Sequence, residues 1–203
     1  MSIIAKTNGE KEFQKLPLPE PGTTLAVCCG VWDLGLQQTG FIDQKTGTNK
    51  VQHKIIIAWE IEQKIDEPTS EYHGKPYMLN KKYTLSLGEK ATLRKDLESW
   101  RGKPFGKEEL ESGFDVEKLY GINCLIGITH EPDRNDPSKV YARVTAILPP
   151  ARGMEKLTPV RAKDELPPKW VQEKQAQALQ PEVDPEVTDP FPFGDPALDE
   201  INF

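Results

Sequence analysis

Cysteine is scarce in this chain. Three thiols in 203 residues, Cys28 and Cys29 side by side and Cys124 far away, cannot build a disulfide framework. That excludes the small disulfide-stapled secreted class and fits a reducing, cytoplasmic setting. Long apolar runs are also missing: no stretch approaches the ~18 continuous apolar residues of a membrane helix. Residues 1–6 (MSIIAK) show neither the apolar core nor the cleavage pattern of a secretory signal, so no membrane association is expected. Catalytic signatures are equally sparse. His53, His73 and His130 have no HxH or HExxH spacing, and no Gly-Lys-Ser/Thr phosphate loop is present. The cysteines lack the paired spacing of a zinc site. No catalytic residue, metal or cofactor is expected, and the protein is read as not an enzyme. Asp33, Asp43, Glu60 and Glu62 would serve a magnesium nuclease only if folding brought them to one point.

Positive charge is absent from one region. Residues 182–203 carry seven acids and no lysine or arginine, while residues 1–181 hold the other 25 acids and all 26 bases. Within that near-neutral body, residues 72–107 hold nine bases against three acids. The formal net charge of −6 therefore conceals a basic stretch and an acidic end, and this segregation says more about partners than the mean does.

Strand signals dominate the body. Runs at 24–34, 51–62, 76–86, 122–130 and 139–148 alternate apolar and polar residues or are rich in β-branched and aromatic side chains, the mark of strands with one buried face. Between the third and fourth runs the period changes. Ser86-Leu87-Gly88-Glu89 has the form of a capping box, Leu93, Leu97 and Trp100 recur at helical spacing, and Gly102 and Pro104 stop the run. A second short helical piece is expected at 115–120. Ten of the 18 prolines fall in 149–203; a transient helix is expected near 167–180, and disorder beyond it.

Three segments follow: an extended lead-in at 1–23, a folded domain at 24–150, and a Pro-rich linker with an acidic disordered tail at 151–203. The order of three strands, a helix and two strands in about 125 residues predicts a mainly β fold, a five-stranded Greek-key barrel of the oligonucleotide/oligosaccharide-binding (OB) class. The helix would plug one end of the barrel.

Alternation also predicts what faces outward. If Val51, Ile55, Ile57, Trp59 and Ile61 are core, then Lys54 points out, as do Lys82 on the third strand and Tyr141 and Arg143 on the fifth. On the first strand, Leu25, Val27, Cys29 and Val31 inward would put Trp32 outward. The flanking turns add Phe41, Arg134 and Lys139. Rings that stack on bases, together with cations that hold phosphates, are what single-stranded nucleic acid requires. The expected nucleic-acid-binding set is therefore Trp32, Phe41, Lys54, Lys82, Arg134, Lys139, Tyr141 and Arg143.

The chain ends Leu198-Asp199-Glu200-Ile201-Asn202-Phe203. An acidic tip closing on a bulky apolar residue, after a flexible linker and a small barrel, resembles the single-stranded DNA-binding proteins of bacteria and their phages. This tip differs in having fewer consecutive acids and Asn202 where proline is usual. The body, through Tyr83-Thr84-Leu85-Ser86-Leu87 and Leu97-Glu98-Ser99-Trp100-Arg101-Gly102-Lys103, looks like phage-encoded replication proteins over residues 20–150. The resemblance implies a protein that coats single-stranded DNA during replication or recombination in the cytoplasm of a host cell. The tail residues Asp195, Asp199, Glu200 and Phe203 would compete with DNA or recruit replication and recombination proteins. Double-stranded DNA as a ligand and self-association stay open. The alternative is a barrel that serves as a protein-interaction module of such a complex with little direct DNA binding.

Overall fold

A computed structural model describes residues 16–133 and 136–179. It is mainly β. Five strands, β1 (Gly22–Ile42), β2 (Asn49–Lys64), β3 (Pro76–Thr84), β4 (Asn123–Pro132) and β5 (Val140–Leu148), form one antiparallel open sheet in the order β3-β2-β1-β4-β5. Helices α1 (Thr92–Arg101) and α2 (Lys107–Ser112) and a 3₁₀ turn (Val116–Leu119) link β3 to β4, and α3 (Lys169–Ala176) follows β5. The sheet curls so that β3 and β5, its two edge strands, come near each other. Among the described residues no helix is long and apolar enough to cross a membrane.

The main core lies inside the curl. Ile55, Ile57, Trp59 and Ile61 of β2 meet Tyr83 and Leu79 of β3, with Leu93, Leu97 and Trp100 of α1 as the plug. Three hydrogen bonds set the helix against the strands. Trp100 Nε1 donates to the Asn123 carbonyl (3.0 Å), Ser99 Oγ to the Ile147 carbonyl (2.6 Å), and the Tyr83 hydroxyl to Asp96 Oδ2 (2.8 Å). Asp96 also holds Lys81 at 2.7 Å, so it is engaged with β3 and does not face water. The helix starts later than the Ser86–Glu89 pattern implies. Its N-cap is Ala91, with no side-chain cap, and Ser86 Oγ instead accepts from the Gly88 amide in a local turn (3.2 Å).

Two departures from simple alternation decide which residues point where. On β1 the register slips between Cys28 and Gly30 and again between Asp33 and Gly35. Each slip inserts one extra residue, a β-bulge. Ala26 and Cys28 therefore join the main core together with Val31, while Cys29, Trp32 and Leu34 pack on the opposite face. Of the inward set Leu25, Val27, Cys29 and Val31, one of the choices the first strand leaves open, only Val31 packs on the main core. On β5, Gly127 pairs with Ala146 but Ile128 with Val144. Thr145 is the extra residue, and its hydroxyl donates to the Gly127 carbonyl (3.2 Å). Val144 and Ile147 both reach the core, whereas Ala146 and Leu148 are exposed, contrary to strict alternation.

The largest difference lies after β5. Part of the segment read as linker packs on the sheet. Glu60, only 6% exposed, accepts the Val160 and Arg161 amides (2.6 and 3.0 Å). Asn123 pairs with the Leu157 backbone through both amide atoms (2.9 and 2.8 Å), and the Tyr120 hydroxyl donates to the Arg161 carbonyl (2.7 Å). Further on, Val171 of α3 is fully buried against Cys29, Trp32, Leu34, Ile56 and Ala58. Leu179 forms an isolated bridge with Leu36. Residues 157–179 are a strap across the outer face of β1 and β2.

Candidate nucleic-acid interface

The strap divides the residues expected to face a ligand. Trp32 points away from the main core, as expected, yet it is only 8% exposed. Trp170 meets its ring edge-on (6.4 Å between centroids, 88°), and the Arg161 guanidinium lies 5.6 Å from it. A Cβ on Gly30 would come within 2.4 Å of the Trp32 ring, so only glycine lets the ring lie flat across β1. Trp32 is therefore corrected from a stacking surface to a packing residue.

Beyond the strap's edge the face is open. Lys54 and Lys82 lie on adjoining strands, where Lys54 pairs with Thr84 and Ile56 with Lys82. The Lys54 ammonium donates to Gln52 Oε1 and to Thr84 Oγ1, both at 2.6 Å. Burial, and then the nearby Lys82 charge, hold its pKa below the ordinary lysine value. An anion set between these two ammonium groups would offset their mutual repulsion. Asn80 follows about 7 Å along β3 on the same face and leads into a groove of about 890 Å³ between β3 and β5.

That groove is lined by Tyr141, Ala142 and Arg143 of β5, by residues 77–80 of β3, by Trp170 and Lys174 of α3, and by the largely apolar lead-in residues 16–19. Tyr141 is 42% exposed, and Arg143, two residues on, lies 5.6 Å from its ring centroid. Asp133 at the groove's end is the one carboxylate in its lining. None of Lys54, Lys82, Arg143 and Lys174 is in an ion pair among the described residues.

The remaining expected residues are scattered. Phe41, 76% exposed, sits beside Ile42 near the tip of the β1–β2 hairpin arm. Lys139, just before β5, is held by Asp136 at 3.0 Å. Hydrogen bonds from Ser138, and then Lys139, hold the Asp136 carboxyl below its usual range. Arg134, and Asp195, Asp199, Glu200 and Phe203 of the tail, lie outside the described residues. The sequence alone does not single out Trp170 and Lys174 as ligand contacts, because a helix near 167–180 is expected to be only transient. The signal that could have found them is Trp170-Val171, an apolar pair at a helix start one residue after Pro167-Pro168.

The cysteines carry no reactive chemistry. Burial pushes Cys28 up to about 12 and raises Cys29 and Cys124 as well, so each thiol stays protonated and inert. Among the described residues no group of three or more histidines, cysteines and acids converges to hold a metal ion. No family model matches the chain, and no curated protein does.

Proposed function

We propose that this chain is a single-stranded DNA-binding protein of the phage type, built on an OB barrel. One observation carries it: an open groove between β3 and β5 lined by Tyr141, Arg143, Asn80 and Met78, with the Lys54–Lys82 pair on adjoining strands. Rings and unpaired cations along one track suit bases that stack and phosphates that need neutralising.

Two features of the fold support the barrel class. The spatial order β3-β2-β1-β4 is that of a Greek key, and the two sheet edges approach each other. In barrels of this class the β2–β3 face and the loops β1–β2 and β4–β5 bind oligonucleotides. Here those regions hold Lys54 and Lys82, Phe41, and Arg134 and Lys139. The acidic residues 182–203 would compete with phosphates for the same cations and offer Phe203 to replication or recombination proteins.

A salt titration of oligo-dT binding by filter retention tests the proposal. Affinity should fall steeply with salt because phosphate neutralisation releases counterions. No binding at low salt, even after removal of 182–203, would refute it. The protein-interaction alternative predicts that Tyr141→Ala leaves partner capture intact and that DNA contributes nothing. A nuclease would degrade the oligonucleotide when magnesium is added.

A further inference from the structure

We infer that α3 supplies two contacts of its own to the groove: Trp170 as a stacking surface and Lys174 as a phosphate contact. The DNA strand would then run between α3 and β5 across β3, past the Lys54–Lys82 pair, and not over Trp32. This rests on the single-stranded DNA reading of the groove.

The helix is well placed for this role. Val171 anchors it in the outer apolar cluster. Gln37 Nε2 donates to the Lys174 carbonyl (3.0 Å), and Gln175 Nε2 donates to the Asp33 carbonyl (2.7 Å). Trp170 and Lys174 are one helical turn apart and so share a side of α3. Both line the groove that Tyr141 and Arg143 also line. Trp170 sets one side against Trp32 and is otherwise half-buried, while Lys174 is exposed.

Two sets of ring and cation, Tyr141 with Arg143 and Trp170 with Lys174, therefore line one groove together with Asn80. An occupant with flat faces and regularly spaced negative charges fits between them, and single-stranded nucleic acid has both. Over Trp32, Ile56 and Ala58 the β1–β2 face offers no such path, because Trp170 and Val171 pack on it.

Tryptophan emission of the full-length protein reads this directly. Of the four tryptophans, Trp32, Trp59 and Trp100 are buried, and Trp170 alone reaches the groove. Oligo-dT should quench the emission, and Trp170→Phe, which keeps an aromatic ring against Trp32, should remove most of that quenching. Trp170→Ala should weaken binding by about tenfold, the lost stacking of one base. Lys174→Ala should flatten the log–log salt dependence by about 0.7, one phosphate contact on a single strand.

Oligo-dT binding with unchanged emission, and with Lys174→Ala indistinguishable from the parent, would overturn the inference while leaving the DNA reading standing. Absence of any oligo-dT binding would remove that reading and the inference together. Quenching by poly-glutamate but not by oligo-dT would assign the groove to an acidic polypeptide and overturn it as well.

Discussion

The two halves of the outer face began with the same promise and ended differently. On the β1–β2 half, Trp32, Ile56 and Ala58 are sealed beneath residues 157–179. On the β3–β5 half, Asn80, Lys82, Tyr141 and Arg143 remain exposed. Outward direction on a strand is thus not the same as access to solvent. A distant segment can roof one part of a sheet and, with its own edge, build the wall of a site beside the next.

The largest effect should come from removing the roof. Deleting 157–203 would uncover Cys29, Trp32, Leu34, Ile56 and Ala58, and we expect loss of cooperative unfolding and binding of an apolar dye. Deleting only 182–203 should leave the unfolding transition unchanged. If both truncations melt alike, the strap is not part of the folded unit.

Trp32→Ala comes next. As a packing residue, Trp32 should cost ~3–5 kcal/mol on truncation, read by urea denaturation. A variant of unchanged stability with abolished DNA binding would place Trp32 at the ligand instead. The open half predicts the reverse pattern. Lys82→Ala and Arg143→Ala should leave stability within about 0.5 kcal/mol, while each flattens the salt dependence of oligo-dT binding by about 0.7.

A smaller effect concerns pH. Lys54 has a pKa held down by burial and by Lys82, so it sheds its proton before an ordinary lysine does. DNA affinity should therefore decline as pH rises toward the usual lysine range, and Lys54→Gln should lose that part of the dependence. The smallest change is expected from Lys139→Ala, since Asp136 already offsets that ammonium at 3.0 Å. A loss as large as that of Arg143→Ala would show that DNA displaces Asp136.

Much of the fold was legible in the residues. Each of the five runs read as a strand falls on a strand, although β1 continues past residue 34 to Ile42, and the Leu93, Leu97 and Trp100 stripe is buried in the main core. Of the candidate site, the outward set on β2, β3 and the first half of β5 was legible, because Lys54, Lys82, Tyr141 and Arg143 lie in uninterrupted stretches of period two. Trp32 was misjudged and Trp170 with Lys174 missed for one reason. Their environments depend on contacts 100 or more residues apart in sequence, such as Glu60 with Val160 and Arg161, and strand periodicity carries no information about such contacts.

Local pattern alone thus determined which segments are strands, which helix plugs them, and where acids and bases are segregated, because burying one side of an element imprints its period on the chain. Tertiary structure decided the rest. The bulges at Cys29, Leu34 and Thr145 arise from pairing with partner strands and reset which side chains point inward. The docking of 157–179 follows from an apolar outer patch that had to be covered and a buried carboxylate at Glu60 that had to be given donors.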